Sequence, residues 1–340
     1  MLFALLMALF ACSQRSAPEY FLDQYITRLS RVTAIDAPLP ELAAPTLPSL
    51  RLRAYPMPDI RLKALEAIDL LKCPTLSQAI AYRNSSLGKQ MLPSVHYFHE
   101  KKLLLLIPQC INTLQTDAQD KRHDQIISRL HEVLSEKQAN LPAVEWNLLF
   151  ANTEFSQQLS SQGRSLPTSG SDGFQGTREA LAYLVRLLPE RTLAAPYTLS
   201  NLENHLQQVS ASRYLGQQIH SATLLSRALN HAASILEQRL HHGSICQGNQ
   251  NSEQQRLYNV FQLFYRDQIQ PYLTRVHQQG SAIAHDWQQL LAHLPPPPTP
   301  AMAQYLQAIV GNDALQQSIT RHTTVWQRIF DQCGALPGVR

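Results

Sequence analysis

Between Pro18 and Cys333, apolar residues recur three and four positions apart in segment after segment, and β-branched runs are scarce. That spacing gathers apolar side chains on one stripe of a helix, whereas a half-buried strand needs strict alternation. Tyr20, Phe21, Tyr25, Ile26, Leu29 and Val32 form the first such set, behind a Ser16-Ala17-Pro18-Glu19 helix start. Leu76, Ile80 and Ala81 form another. Tyr97, Phe98, Leu103, Leu106 and Cys110 form a third, opened by Pro93 and with a kink predicted at Pro108. Hydrophobic residues make up 44% of the 340, enough for a real core. The pattern predicts an all-α protein, an irregular multi-helix array.

Prolines and glycines divide the array. Residues 37–58 hold Pro38, Pro40, Pro45, Pro48, Pro56 and Pro58, which predicts an extended segment draped over helices. Its leucines, Leu39, Leu42, Leu47, Leu50 and Leu52, are expected to pack. A helical pattern runs from Ile60 to Leu71, and two more helices are predicted near 119–138 and 141–160. The Ser/Gly-rich stretch 161–177 is the best candidate boundary. It suggests a helical N-terminal lobe at 12–162 and a helical C-terminal lobe at 177–340, or one continuous domain. Beyond it, helices are predicted at Arg178–Leu188 and from the box Ser200-Asn201-Leu202-Glu203 through Leu240, with a stop at His241-His242-Gly243. Others follow near 252–278 and 280–293, then after the break at Pro295–Pro298.

The first residues carry a different message. Leu2 to Phe10 is an apolar run of signal-peptide length, too short to span a bilayer, and Ala11-Cys12 follows. This is the layout of a bacterial lipoprotein signal over residues 1–11, with Cys12 as the lipidated residue. Ser13 follows Cys12, and no Asp does, which favours the outer membrane, facing the periplasm. The membrane, through the lipid, and an envelope protein are the expected partners. In that oxidising compartment the other four cysteines, Cys73, Cys110, Cys246 and Cys333, read as two disulfides. Cys73–Cys110 with Cys246–Cys333 is the favoured pairing of the three, because each bridge then stays within one half of the chain. No C-x-x-C spacing suggests zinc.

Charge is mild, +4 overall with 16% charged residues and no Lys/Arg block, so no nucleic-acid partner is expected. Ser86-Leu87-Gly88-Lys89 fits S-x-x-K, but K-T-G and S-D-N are both absent. His96, His99 and Glu100 share a helix face and read as a solvated one. Glu132, Glu136, Glu145 and Glu154 lie on helices, and spacing assigns none of them a role. No catalytic residue, metal or cofactor is implied.

Cys73, the Arg83-Asn84-Ser85-Ser86-Leu87-Gly88 stretch, Tyr97 and Cys110, with the Pro/Leu segment before them, resemble a family of Gram-negative lipoproteins, domain of unknown function 3080. The resemblance is specific over about residues 37–112. It implies a lipid-anchored envelope protein and no activity. Physically, Arg83-Asn84-Ser85 reads as a helix end and a cap, with Gly88 allowing close packing. The functional alternative is a small polar site of Arg83, Asn84, Ser85 and Lys89. The leading expectation is a non-enzymatic interaction or scaffold protein. The rivals are an envelope enzyme acting on cell-wall material, which needs a cleft with converging ionisable groups, and a periplasmic ligand carrier, which needs an apolar cavity.

Overall fold

The computed structural model describes residues 17–58, 72–116, 121–161, 163–170, 173–190, 193–243, 245, 252–311 and 313–333. Among them there are helices and connections and no strands, and 77% of these described residues are helical. Helix α1 is Pro18–Thr33, with proline in its first turn and Ala17 at its N-cap. The Pro-rich segment follows as an extended strap that ends in a short helix, α2 (Leu50–Arg53). Leu39, Leu42 and Leu47 pack on the core, but Leu50 and Leu52 are exposed. The strap is held here by polar contacts instead. Arg53 Nε donates to Phe150 O at 2.8 Å, Trp146 Nε1 donates to Arg53 O at 2.7 Å, and Asn147 exchanges two 2.9 Å bonds with the Tyr55 backbone.

The predicted helix over Ile60–Leu71 lies outside the described residues. Helices α3 (Pro74–Asn84), α4 (Ser86–Lys89) and α5 (Pro93–Thr116) come next. Helix α5 continues past Pro108, and α6 is one 30-residue helix, Lys121–Phe150, with Pro142 inside it, where two helices were expected. A proline ring removes one backbone donor without stopping a helix whose flanks are buried on both sides of it. Ile111 and Leu114 beyond Pro108, and Val144, Trp146 and Phe150 beyond Pro142, are buried. A short α7 (Thr153–Gln157) completes this half.

Helix α8 is Phe174–Leu187. The expected single helix from Ser200 to Leu240 is two, α9 (Leu199–Ser212) and α10 (Tyr214–His241). Arg213 breaks them with φ 55°, in the left-handed region. The N-cap of α9 is Thr198, whose Oγ1 accepts from Asn201 N at 3.2 Å, so the cap lies two residues before the box that the pattern suggested. Gly173 sits against this corner at φ 89°, and a Cβ there would lie 2.4 Å from Ser212 Cβ. The next helix is continuous. It starts as α11 (Ser252–Val260), passes through a π-helical segment, Phe261–Ile269, and ends as α12 (Gln270–Leu291). Helices α13 (Pro300–Val310) and α14 (Asp313–Gln332) close the array.

The main core gathers residues from Phe21 to Phe330 and takes them from both sides of the 161–177 stretch. Helix α10 runs through its middle, packed by α1, α8, α12 and α14. A smaller core lies between α3, α5 and α6, and Cys73–Cys110 spans it with a Cα–Cα distance of 5.5 Å. Cys333 is also disulfide-bonded. The other two cysteines, Cys12 and Cys246, lie outside the described residues.

The Cys73–Cys110 bridge closes a 37-residue loop, for which chain entropy gives about 4 kcal/mol at most. The Cys73→Ala/Cys110→Ala protein should lose stability up to that amount in urea unfolding. Amide exchange should rise first in 74–84, where the small core is thin, while 214–241 stays protected.

Candidate functional site

The Arg83–Lys89 stretch is a local fold of the chain. Ser85 Oγ donates to Tyr82 O at 2.7 Å and accepts from Gly88 N at 3.1 Å, and Arg83 donates to Gly88 O at 2.8 Å. A Cβ on Gly88 would lie 2.0 Å from Tyr82 O, which is backbone and cannot move aside. Asn84, Ser86 and Lys89 are exposed. Among the described residues no ion pair or side-chain hydrogen bond joins them to another part of the chain.

His96, His99 and Glu100 do not form a solvated face. His99 and Glu100 are buried, because α3 and α6 close over this side of α5. Lys137 on α6 donates to Glu100 at 2.7 Å, His96 lies 3.5 Å from it, and His99 Nε2 meets Ala79 O at 3.0 Å. Burial opposes the charge on Glu100, but His96, His99 and Lys137 outweigh it and hold the carboxyl well below the usual range. Among the described residues no group of three or more His, Cys, Asp or Glu side chains is placed to hold a metal ion.

One turn further along α5 the arrangement opens. Lys101, Leu104 and Leu105 of α5, Gln138, Leu141 and Glu145 of α6, the Leu188-Pro189-Glu190 turn after α8, and His293 line a cleft of about 530 Å³. Lys101 is used by the fold. Its Nζ donates to Leu187 O at 3.4 Å, Leu188 O at 3.2 Å and Glu190 O, and lies 4.9 Å from the Tyr97 ring centre. A cation suits the carbonyls at the end of α8. Glu145 is different. It is buried yet makes no hydrogen bond among the described residues, and no cation lies within ion-pair distance. Burial pushes its carboxyl up to about 7 against the opposing charge of Lys101.

The two in-helix prolines add to this. Proline has no N–H, so it leaves the carbonyl four residues earlier without its helical donor. For Pro108 that carbonyl belongs to Leu104, and for Pro142 to Gln138. Both residues line the cleft. Two residues that lack the usual helical donor for their carbonyls thus line the same cleft as Glu145, whose carboxyl makes no hydrogen bond among the described residues. Spacing assigned Glu145 no role, and the one sequence signal that could have led here is a proline inside each of two apolar-periodic segments.

Two other polar clusters serve the fold. Ser161 Oγ lies 2.9 Å from His220 Nδ1, and His220 Nε2 lies 3.8 Å from Glu19. The His220 imidazole is the main cause that brings Glu19 down to about 2, with Ser165 helping against burial. Serine, histidine and carboxylate in a chain is the order of a hydrolase. None of the three lines this cleft, and together they tie the start of α1 to the 161–166 loop and α10. Deeper in, His322 Nε2 takes Tyr25 Oη at 2.7 Å and Trp326 Nε1 at 3.2 Å, and burial brings its imidazole down to about 3. It stays neutral and joins α1 to α14.

Compared with known families, residues 22–337 match the family described as "Protein of unknown function (DUF3080)". The chain belongs to that family. The match extends the resemblance seen at 37–112 over nearly the whole array, so the DUF3080 fold includes both the strap and the last helix. No curated protein and no solved structure matches the chain.

Two outcomes follow. Gly88→Val should cost about 1–3 kcal/mol in thermal or urea unfolding, and Ser86→Ala should stay within about 0.5 kcal/mol. For Glu145, the folded value of about 7 exceeds the ordinary 4.5, so its contribution to stability is present below pH 4.5 and is lost as pH rises through 7. The stability difference between Glu145→Gln and the parent should therefore move in favour of the variant, by on the order of 1–2 kcal/mol, between pH 4.5 and 8. Paired urea titrations across that range measure it, and a flat difference would contradict the burial effect.

Proposed function

We propose that this protein is a lipid-anchored component of the bacterial envelope, at the outer membrane and facing the periplasm, that acts by binding and not by catalysis. The anchor reading rests on Leu2 to Phe10 followed by Ala11-Cys12. The observation that carries the binding reading is the acceptor-rich cleft. Glu145, without a hydrogen bond of its own, and the carbonyls that Pro108 and Pro142 deprive of helical donors belong to one set of lining residues. Such a cleft recognises a partner that brings donors, such as a hydroxyl-rich or amide-rich segment of an envelope molecule. The one cation in it, Lys101, is occupied by backbone carbonyls. Among the described residues no serine, threonine or cysteine lines it.

One observation favours the enzyme rival. A carboxyl near pH 7 is suited to general acid–base work on cell-wall glycan, with water as the nucleophile. The same variants separate the two readings. A photoreactive residue in place of Leu105, on the cleft and partly exposed, should give one discrete adduct in intact cells. Glu145→Ala should reduce that adduct at least fivefold, and Cys12→Ala should release the protein from the membrane fraction and lose the adduct. Release of soluble fragments from purified cell wall, abolished by Glu145→Gln, would replace binding with catalysis. A Cys12→Ala protein that stays in the membrane fraction would end the anchor reading.

A further inference from the structure

A second cleft, of about 410 Å³, lies between α10, α12, α13 and the start of α14, and the strap crosses it at Glu41–Pro45. Small residues hollow it out. Ala222 on α10, Gly280 and Ala284 on α12, and Ala308 on α13 stand where larger side chains would fill the space between helices. Leu42, Ile219, Ile283 and Trp287 supply apolar walls. The size is that of a small-molecule site.

Its polar groups are mostly spent within the protein. Gln218 donates to Val276 O at 2.7 Å and accepts from Tyr214, Thr223 donates to Ile219 O, Ser226 meets Ser318, and Asn230 donates to Ser318. Arg227 is the exception and the only cation among the lining residues. One nitrogen donates to Pro40 O of the strap at 2.9 Å. Its Nε is buried with no hydrogen-bond partner, and Arg227 makes no ion pair among the described residues. The residue as a whole is partly exposed, and an anion in the cleft would give Nε its missing acceptor and the guanidinium a counter-charge. Glu41, the one carboxylate in the lining, is exposed on the strap and outside ion-pair distance of Arg227.

We propose that this cleft binds a single alkyl chain ending in a carboxylate, with the chain on the apolar walls under the strap and the carboxylate on Arg227. The site is separate from the acceptor-rich cleft, which has the opposite charge preference, so neither proposal depends on the other. The strap suits such a guest. It is held to α10 at two points one turn apart, Arg227 to Pro40 O and His231 to Ala37 O at 2.8 Å. Between and beyond these points it has no regular structure that would have to unfold to admit a chain.

Trp287 lines the cleft and reports its occupancy. Decanoate, decanol and decyltrimethylammonium, each below its aggregation concentration, are titrated into the purified protein while tryptophan emission is followed. Decanoate should give a saturable change with at least tenfold higher affinity than either other ligand. In Arg227→Gln that preference should fall below threefold, and Arg227→Lys should restore part of it. Loosening of the strap alone would weaken decanoate and decanol together, so the ratio isolates the charge. Glu41→Gln should tighten decanoate binding, Ala284→Phe should abolish it, and Trp287→Phe should remove the signal. The melting temperature of each variant confirms that it is folded. No saturable change with decanoate, equal affinity for decanol, or a preference that survives in a folded Arg227→Gln protein would overturn the proposal.

Discussion

Helix α10 must be buried almost all round, and the other helices take their places from that need. Leu225, Ala228, Leu229, Ala232, Ala233, Ile235 and Leu236 are fully buried, on more than one face. A helix apolar on several sides is stable only when other helices surround it. Here α1, α8, α12 and α14 do so. Alanines in the middle of α10 let neighbours approach closely, and truncating one of its leucines would leave a cavity costing about 2–5 kcal/mol. Because α1 comes first in the chain and α14 last, burying α10 joins residues about 300 apart. The Tyr25–His322–Trp326 cluster marks that junction.

Polar groups inside the array hold helices in register where apolar packing alone would let them slide. Glu100 with Lys137 ties α5 to α6, and Arg178 with Asp286 ties α8 to α12 at 2.7 Å. In each case both partners are present, so the desolvation of one charge is offset by the other. Glu145 and Arg227 stand apart from this rule. Each lines a cleft, each is pressed by burial, and neither has an opposite charge within ion-pair distance. Lys101, also buried without an ion pair, is met by three backbone carbonyls, whereas Glu145 and Arg227 place one negative and one positive recognition point on separate clefts.

The prolines link fold to site. In the strap they prevent helix formation, and residues 34–49 have no regular structure where Ala37 and Pro40 meet α10. In α5 and α6 the same residue leaves the helix intact, because tertiary burial beyond it outweighs one lost hydrogen bond. The cost of that bond falls on Leu104 and Gln138, in the wall of the acceptor-rich cleft.

Apolar spacing by itself determined the helical class, the position of α1, the Pro-rich strap and the stop at Gly243, because these depend on neighbours within a turn or two. Membership of the DUF3080 family was legible in residues 73–110 for the same reason, since a cysteine pair and a Ser-capped glycine turn are local patterns. Local pattern failed where long-range packing overrides it. The break expected between 138 and 141 disappears once Val144, Trp146 and Phe150 beyond it are buried, and Ser200 reads as a cap until Arg213 splits the helix and Thr198 takes the N-terminus. The solvated face assigned to His99 and Glu100 became an interior one when α3 and α6 closed over it. Both clefts were decided only in three dimensions. The charge state of a carboxyl such as Glu145 depends on what covers it, and the isolation of Arg227 depends on which carboxylates the fold keeps away.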